Sequence, residues 1–367
     1  MEVHHISDTV AASSALRVIA IDPQTDERWE ELMRDTPASW IYYAPAWFQV
    51  LQEVYGYKPA HLACEDEAGR LVAILPLFYQ HGWRSGRIIK SVFTGPLTSS
   101  DAARLALLRA TVARFRARSY VKLHLKLPSN SFDGLVEGMV GRPAYSTYVL
   151  ALPESADSLR LDPTIKRAIN KAIRSGVEVR EAETEAELRS WYELYLQTMR
   201  KFDALPNPYR YFRVAWQRLR SKGMLRLLLA EQVEAGRRRL IAGFLYLLWG
   251  ATISYACAGW RDENQALRPN DLLHWRAMQD ACAAGIRWYD FGDVEPGNSG
   301  LARYKAKWGA EPTLVYDYSY PPASQRASDT PALMSDRAQQ LMQFAWRHFP
   351  ARMVGALSDW YYAMHLY

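Results

Sequence analysis

"HLACEDEAGRLVAILPLFYQ" (residues 61–80) and "LLLAEQVEAGRRRLIAGFLYLL" (residues 227–248) share one pattern: an apolar run, an acidic turn containing glycine, and a second apolar run. Apolar, β-prone segments on both sides of a glycine turn read as paired strands, so each stretch is expected to be a β-hairpin. Ala63 and Ala230, and Gly69 and Gly236, stand at one offset of 167, and Ala73 and Ala242 follow after a two-residue insertion. An aromatic helix ending at glycine precedes each hairpin, "APAWFQVLQEVYG" (44–56) and "YRYFRVAWQRLRSKG" (209–223). Downstream, each half continues with a helix and a strand. These are "DAARLALLRATVARFRARS" (101–119) with "YVKLHLKLP" (120–128), and "NDLLHWRAMQDACAAG" (270–285) with "IRWYDFG" (286–292). Asn270 or Asp271 is placed to cap the second of these helices and Gly285 to close it. The chain therefore reads as one α/β unit used twice, over 1–155 and 156–322, followed by a linker and a helical tail over 323–367.

Composition narrows the function. The 367 residues are 49% hydrophobic and 23% charged, which is globular, and thirteen tryptophans with twenty-two tyrosines supply large amphipathic surfaces. A net charge of +6 and a pI near 9.1 favour an anionic partner such as RNA, a phosphorylated precursor, a nucleotide or a membrane surface. DNA is not among the expected partners. Cys64, Cys257 and Cys282 are too few and too scattered for a disulfide framework or a zinc site, and the histidines lack metal-ligand spacing. No metal is expected.

The first residues lack the pattern of a signal peptide, and Phe244 to Trp260, broken by Gly250, Thr252, Ser254 and Gly259, reads as two buried strands and not as a membrane helix. The expectation is a cytoplasmic protein. Its tail, with Trp346, Phe349, Trp360 and Tyr361 beside Arg347 and Arg352, is a candidate peripheral contact at the inner membrane face. "TIKRAINKAIRSGVEV" (164–179) reads as a basic amphipathic helix whose Lys166 and Arg167 are placed to receive phosphates.

The richest chemistry lies in "YDFGDVEPGNSGLARYKAKWGAEP" (289–312). Its Asp290-Phe291-Gly292 suggests a protein kinase, but the chain has no glycine-rich phosphate loop, no Val-Ala-Ile-Lys strand and no His-Arg-Asp loop upstream. Instead the aromatic-Lys-x-x-aromatic-Gly run at Tyr304, Lys305, Trp308 and Gly309 resembles the Fem family of peptidoglycan interpeptide-bridge aminoacyltransferases. The helix and loop "TMRKFDALPNPYRYF", with Thr198, Arg200, Tyr211 and Phe212, are similar to a second family pattern, although Thr and Arg stand one residue closer here. The likeness spans about residues 35 to 320. Two features depart from it: there is no room between Glu193 and Leu225 for the helical hairpin of many tRNA-using members, and "WFQVLQEV" lacks the lysine that some members use to hold the precursor.

The resemblance implies an α/β fold of tandem duplicated acetyltransferase-type (GNAT) domains, each a mixed, mainly antiparallel sheet flanked by helices. It implies transfer of an aminoacyl group from aminoacyl-tRNA to an amine of a cell-wall precursor, with no tightly bound cofactor. Two alternatives stand beside it. One is acyl-CoA or acyl-carrier-dependent transfer to a sugar or other amine in surface polysaccharide or lipid synthesis, and the other is a degenerate binding protein.

Acyl transfer to an amine develops negative charge on the attacked carbonyl, and Lys305 is the candidate to neutralise it; otherwise Lys305 is a surface lysine pairing with Glu295 or Asp293. Asp290 and Asp293 are candidates to take the amine's proton or to orient it, and Asp290 alternatively caps a turn. Arg200 suits a carboxylate or phosphate clamp, and Tyr211, Tyr255 and Trp260 suit either stacking in a pocket or a place in the core. Asn270, Tyr304 and Lys307 complete the expected substrate-binding set, and the Gly297–Gly300 loop either closes over substrate or only connects. Donor phosphates are assigned to Arg268, Lys166 and Arg167. CoA-dependent members of the fold cradle pyrophosphate on an Arg/Gln-x-x-Gly-x-Gly/Ala turn; here "RPNDLL" has Arg268 without the glycines, which argues against ordinary acetyl-CoA use.

Overall fold

The computed structural model describes residues 16–82, 86–91, 94–117, 122–127 and 132–320, so the tail expected over 323–367 lies outside the described residues. The first half runs β1 (Arg17–Ala20), α1 (Arg28–Asp35), α2 (Pro45–Tyr55), β2 (Lys58–Pro59), β3 (Leu62–Glu65), β4 (Leu71–Leu75), β5 (Phe78–Gly82), β6 (Gly86–Lys90), α3 (Asp101–Arg116), β7 (Lys122–Leu127) and β8 (Gly141–Ala151). The second runs α4 (Pro163–Arg174), β9 (Val177–Glu181), α5 (Glu185–Lys201), α6 (Tyr209–Leu219), β10 (Leu225–Glu234), β11 (Arg237–Trp249), β12 (Thr252–Trp260), α7 (Pro269–Ala283), β13 (Trp288–Val294), α8 (Ser299–Ala306) and β14 (Glu311–Tyr320).

Both hairpins form as read; α2 stops at Gly56 in the left-handed region, and α6 is followed by one 3-10 turn over Arg220–Lys222 that ends at left-handed Gly223. The halves also share a parallel pair, β6 with β7 and β12 with β13. The duplication is therefore topological as well as textual. One difference comes from Pro76, which has no N–H to give a ladder and splits the strand equivalent to β11 into β4 and β5. The first piece stays with β1 and β3 in a three-stranded sheet; the second enters an eleven-stranded one ordered β2-β5-β6-β7-β14-β8-β13-β12-β11-β10-β9.

In the centre of that order the ends of the two halves change places. Strand β8, which closes the first half, pairs with β13 of the second, and β14, which closes the second half, pairs with β7 of the first. A second tie is the core between α2 and α6, where Trp47, Phe48 and Tyr55 pack in one cluster with Tyr211, Phe212 and Trp216. Across it Tyr55 Oη donates to Asn207 Oδ1 (3.0 Å) and Trp249 Nε1 to Ser39 Oγ (3.1 Å). Tyr211, expected at a substrate pocket, thus lies in the junction core, stacked on Tyr55 with ring centres 6.0 Å apart.

The reading of one long helix over 164–179 is corrected. Helix α4 stops at Arg174, Gly176 turns the chain with φ 71°, and the alternating Val177–Glu181 joins the sheet beside β10. Nor do Asn270 or Asp271 cap α7, whose N-cap is Arg268 without a side-chain capping bond. Among the described residues no helix is long and apolar enough to cross a membrane, and no group of His, Cys, Asp and Glu is placed to hold a metal ion.

Helix α5 packs its backbone directly on β12 at Gly259, where a Cβ would meet Tyr195 N at 2.5 Å and Leu194 C at 2.8 Å. Gly259→Ala is therefore expected to destabilise by about 1–3 kcal/mol in denaturant titration, the usual range for overpacking against immovable neighbours. Gly300→Ala, in the exposed first turn of α8 with its nearest atom at 3.9 Å, is expected to be neutral or slightly stabilising.

Candidate active site

Strands β12 and β13 stay in register for three pairs, Thr252 with Trp288, Ile253 with Tyr289 and Ser254 with Asp290, and then part. Both become irregular there: β12 slips against β11 near Ala256, and β13 slips against β8 between Asp290 and Asp293. Gly292 lies inside this second irregularity with φ 74°, a conformation that glycine adopts without strain, and its Cβ would approach Tyr255 O at 3.3 Å. Bulges of this kind re-aim side chains, and here they open a cavity of about 190 Å³.

The second half contributes Tyr255, Ala256, Asp290, Gly292 and Asp293 to its wall. The opposite wall is first-half sequence: Trp40 and Tyr42 from the turn before α2, Lys126 of β7, and Tyr145 and Thr147 of β8. Val315 of β14 lies between them. The cavity is a seam between the halves, and its charges are mixed: two carboxylates on one side, a lysine on the other. The strand exchange thus brings acidic residues to this seam, which is not a uniformly basic cleft.

Asp290 is 5% exposed, and its Oδ1 accepts from Thr147 Oγ1 and from the Gly292 N–H, each at 2.8 Å. Burial pushes its carboxyl upward, opposed by those bonds and by the Lys305 charge. Asp293 has no comparable clamp and sits surface-accessible at the cavity wall. Surrounding protein and then the Asp290 charge push its carboxyl up to about 6, with Lys305 and Lys126 pulling the other way. A carboxylate that titrates close to neutrality can accept a proton and later give it up.

Lys305, in the last turn of α8, is 4% exposed, which removes the surface-pairing alternative. Its Nζ donates to the main-chain oxygens of Gly292 (2.8 Å) and Asp293 (3.0 Å), so it straps the irregular segment of β13 from behind. Burial lowers it to about 8 while the two carboxylates pull it up. The 297–300 stretch begins α8, with Asn298 Oδ1 accepting from Leu301 N (3.1 Å), and so serves to aim Lys305. Tyr304 Oη on the same helix donates to buried Asp271 Oδ1 (3.2 Å) and ties α8 to α7.

The remaining expected residues lie elsewhere. Arg200 sits inside α5, in its last turn, and Trp260 bonds through its main-chain N–H to Thr198 Oγ1 (2.9 Å) and through its indole to Asp262 (3.1 Å). Asn270 donates to Gln265 Oε1 (3.3 Å). Lys166, Arg167, Arg268 and Lys307 are exposed outside the cavity. The first-half residues Trp40, Tyr42, Lys126, Tyr145 and Thr147 were missed, because no motif marks them and β8 carries no hairpin signal. The alternation of "AYSTYVL" was the available clue.

Residues 161–306 match the acetyltransferase (GNAT) domain family. A UDP-N-acetylmuramoylpentapeptide-lysine N(6)-alanyltransferase of Weissella viridescens is 22% identical over 303 residues, covering 75% of this chain and 85% of that protein. Among solved structures, FemX superposes with a TM-score of 0.68 at 14% identity, covering 84% of this chain and 98% of its own. L-PGS from Bacillus licheniformis gives 0.55 at 10% identity over 89% and 98%. A tandem GNAT protein from the clavulanic acid biosynthesis pathway gives 0.52 at 14% over 83% and 98%. The tandem GNAT fold is established, and the Fem-type likeness expected from the sequence is borne out.

A carboxyl raised by folding binds its proton more tightly in the native state, so stability falls as pH rises through the window from its ordinary value near 3.8 to about 6. Asp293→Asn is accordingly expected to be more stable than the parent at pH 7 and equal to it at pH 4, read from denaturation midpoints at the two pH values. A less stable variant at pH 7 would remove Asp293 as a poised group.

Proposed function

We propose that this Fem-like chain with a tandem GNAT fold is an aminoacyltransferase that moves an aminoacyl group from aminoacyl-tRNA to an amine of a cell-wall precursor. The observation that carries the reading is Asp293, a carboxylate raised toward neutrality at the opening between β12 and β13, in a cavity that both halves complete. The acceptor amine enters beside it. Asp293 takes the proton, the freed lone pair attacks the ester carbonyl of the donor, and the new C–N bond forms as the C–O bond to the tRNA ribose breaks. The proton ends on the leaving hydroxyl. Asp290, bound to Thr147 and to Gly292 N, shapes the turn that presents Asp293. Lys305 acts as a positioning residue through the Gly292 and Asp293 carbonyls and lowers the carboxylates with its charge.

The start of α7 supports a donor other than CoA. A helix N-terminus holds phosphate with free N–H groups. Here Arg268 occupies the N-cap with φ 62°, Pro269 has no N–H, and Asp271, 4% exposed in the first turn, places its own carboxyl at the positive end. A pyrophosphate would meet that acid where the fold's CoA enzymes offer glycine. A donor held along exposed basic residues such as Lys166, Arg167 and Lys307 avoids this conflict.

The decisive assay combines alanyl-tRNA with a lysine-bearing UDP-muramoyl pentapeptide and reads the product by mass. RNase-sensitive alanylation is expected; RNase-insensitive transfer from acetyl-CoA would replace this reading by the CoA-dependent one. Asp293→Asn is expected to lower kcat by about 10²- to 10⁴-fold, the usual contribution of a positioned base. The acidic limb of the pH–rate profile should fall near 6, and Lys305→Met should move that limb upward, because a cation that lowers Asp293 is lost. A limb that stays put would leave Lys305 with a purely structural role.

A further inference from the structure

Acyl transfer needs a hydrogen-bond donor aimed at the oxygen of the attacked carbonyl. Lys305 does not supply it, because its ammonium faces the main-chain oxygens of Gly292 and Asp293. Across the cavity stands a phenol that is not so engaged. Tyr145 lines the first-half wall two residues from Thr147, so both side chains leave the same face of β8. Thr147 pairs with Asp293 in the antiparallel ladder between β8 and β13, and its hydroxyl donates to Asp290 Oδ1 at 2.8 Å. Tyr145 is thereby the diagonal neighbour of Asp293, a spacing that an aromatic side chain spans. The Tyr145 hydroxyl takes part in none of the hydrogen bonds among the described residues. Its ring is held by Lys126, whose Nζ lies 4.9 Å from the ring centre. Surrounding protein pushes the phenol's pKa upward, and the Asp293, Asp317 and Asp290 charges push it further, so it stays protonated and able to donate. The other hydroxyls of the cavity wall are placed differently. Thr147 gives its hydrogen to Asp290, Tyr42 packs edge-on against Trp40 and Trp47, and the Tyr255 ring belongs to the layer with Phe244 and His274.

We infer that Tyr145 Oη is the hydrogen-bond donor to the carbonyl oxygen in the transition state, so that the first half contributes a catalytic residue and not only a wall. This deepens the aminoacyltransferase reading and rests on it for the identity of the ester. As Asp293 takes the amine's proton and loses its charge, the C–N bond forms and the carbonyl electron pair moves onto oxygen, where the Tyr145 O–H meets it. When the C–O bond to the ribose breaks, that pair returns and the carbonyl re-forms; the phenol keeps its proton throughout. The bond is strongest while the oxygen carries charge, so it favours the transition state over the bound ester.

Tyr145→Phe keeps the ring and its contact with Lys126 and removes the hydroxyl alone. With alanyl-tRNA and the pentapeptide acceptor, its kcat is expected to fall by about 10²- to 10³-fold, the usual loss for one such donor. KM for both substrates should stay within a few-fold, and the denaturation midpoint should not move, because no Tyr145 hydrogen bond is lost from the free protein. Tyr316→Phe, on β14 outside the cavity wall, should leave kcat unchanged. A phosphonate analogue of the tetrahedral intermediate on a short 3′-terminal RNA should bind the parent about tenfold or more tighter than Tyr145→Phe, whereas an unreactive amide-linked alanyl-RNA should bind both alike. Equal kcat in the parent and the folded variant, or a loss confined to KM, overturns the assignment and leaves the aminoacyl reading intact. Transfer of acetyl from acetyl-CoA in place of alanyl overturns the donor reading, and the same kcat comparison then decides Tyr145 on that reaction. A parent that transfers neither group overturns both.

Discussion

The ladder between β8 and β14 is the constraint from which the rest of this molecule follows. Eight residues of β14 lie antiparallel to β8, from Glu311 against Val149 to Tyr318 against Gly141, with one slip beside Val315. Because each of these strands terminates a different half, zipping them together places the edge strand of one half against the other and makes a single sheet. The cavity that both halves line opens along that seam. Val315 of β14 lines it, Tyr145 and Thr147 come with β8, and Asp290 is held in place by a hydroxyl from β8.

Electrostatics in the seam are set by desolvation more than by pairing. Asp290, Asp293 and Lys305 are all displaced toward their neutral forms, and burial is the leading cause each time. A protein selected only for stability would match such charges or replace them with apolar groups. Here Lys305 gives its hydrogen bonds to the main-chain oxygens of Gly292 and Asp293, so its charge acts on the Asp293 carboxylate without a direct bond between the two side chains. Beneath it His274, kept neutral by burial with its ring lowered to about 3, Tyr289 and Tyr246 form a hydrogen-bonded aromatic layer. That layer packs against Phe291, between Asp290 and Gly292 of the acidic turn.

The residue patterns made the repeated hairpins, their glycine-terminated helices and the terminal helix–strand pair legible, because each depends on side-chain periodicity and on which residues tolerate a left-handed turn. The acidic turn at 290–293 and Lys305 were legible as well, since an aromatic-Lys-x-x-aromatic-Gly run beside Asp-Phe-Gly is an uncommon arrangement. Their division of labour was not. Lys305 read as an oxyanion donor, yet its ammonium faces two carbonyl oxygens. Arg200 and Tyr211 read as ligand contacts, yet Arg200 lies in the final turn of a helix and Tyr211 in the junction core.

What the chain determined by itself was local: two copies of a strand-turn-strand unit, their flanking helices, and a cluster of acids and a lysine near one strand end. The tertiary structure alone decided that β8 and β14 would exchange neighbours, that Lys126 and Tyr145 would face Asp293 across a seam, and that a buried carboxylate would occupy the start of α7. The physical reason is that periodicity reports which face of an element is apolar, whereas strand order and the burial of charge depend on contacts between residues more than a hundred positions apart, which no local pattern encodes.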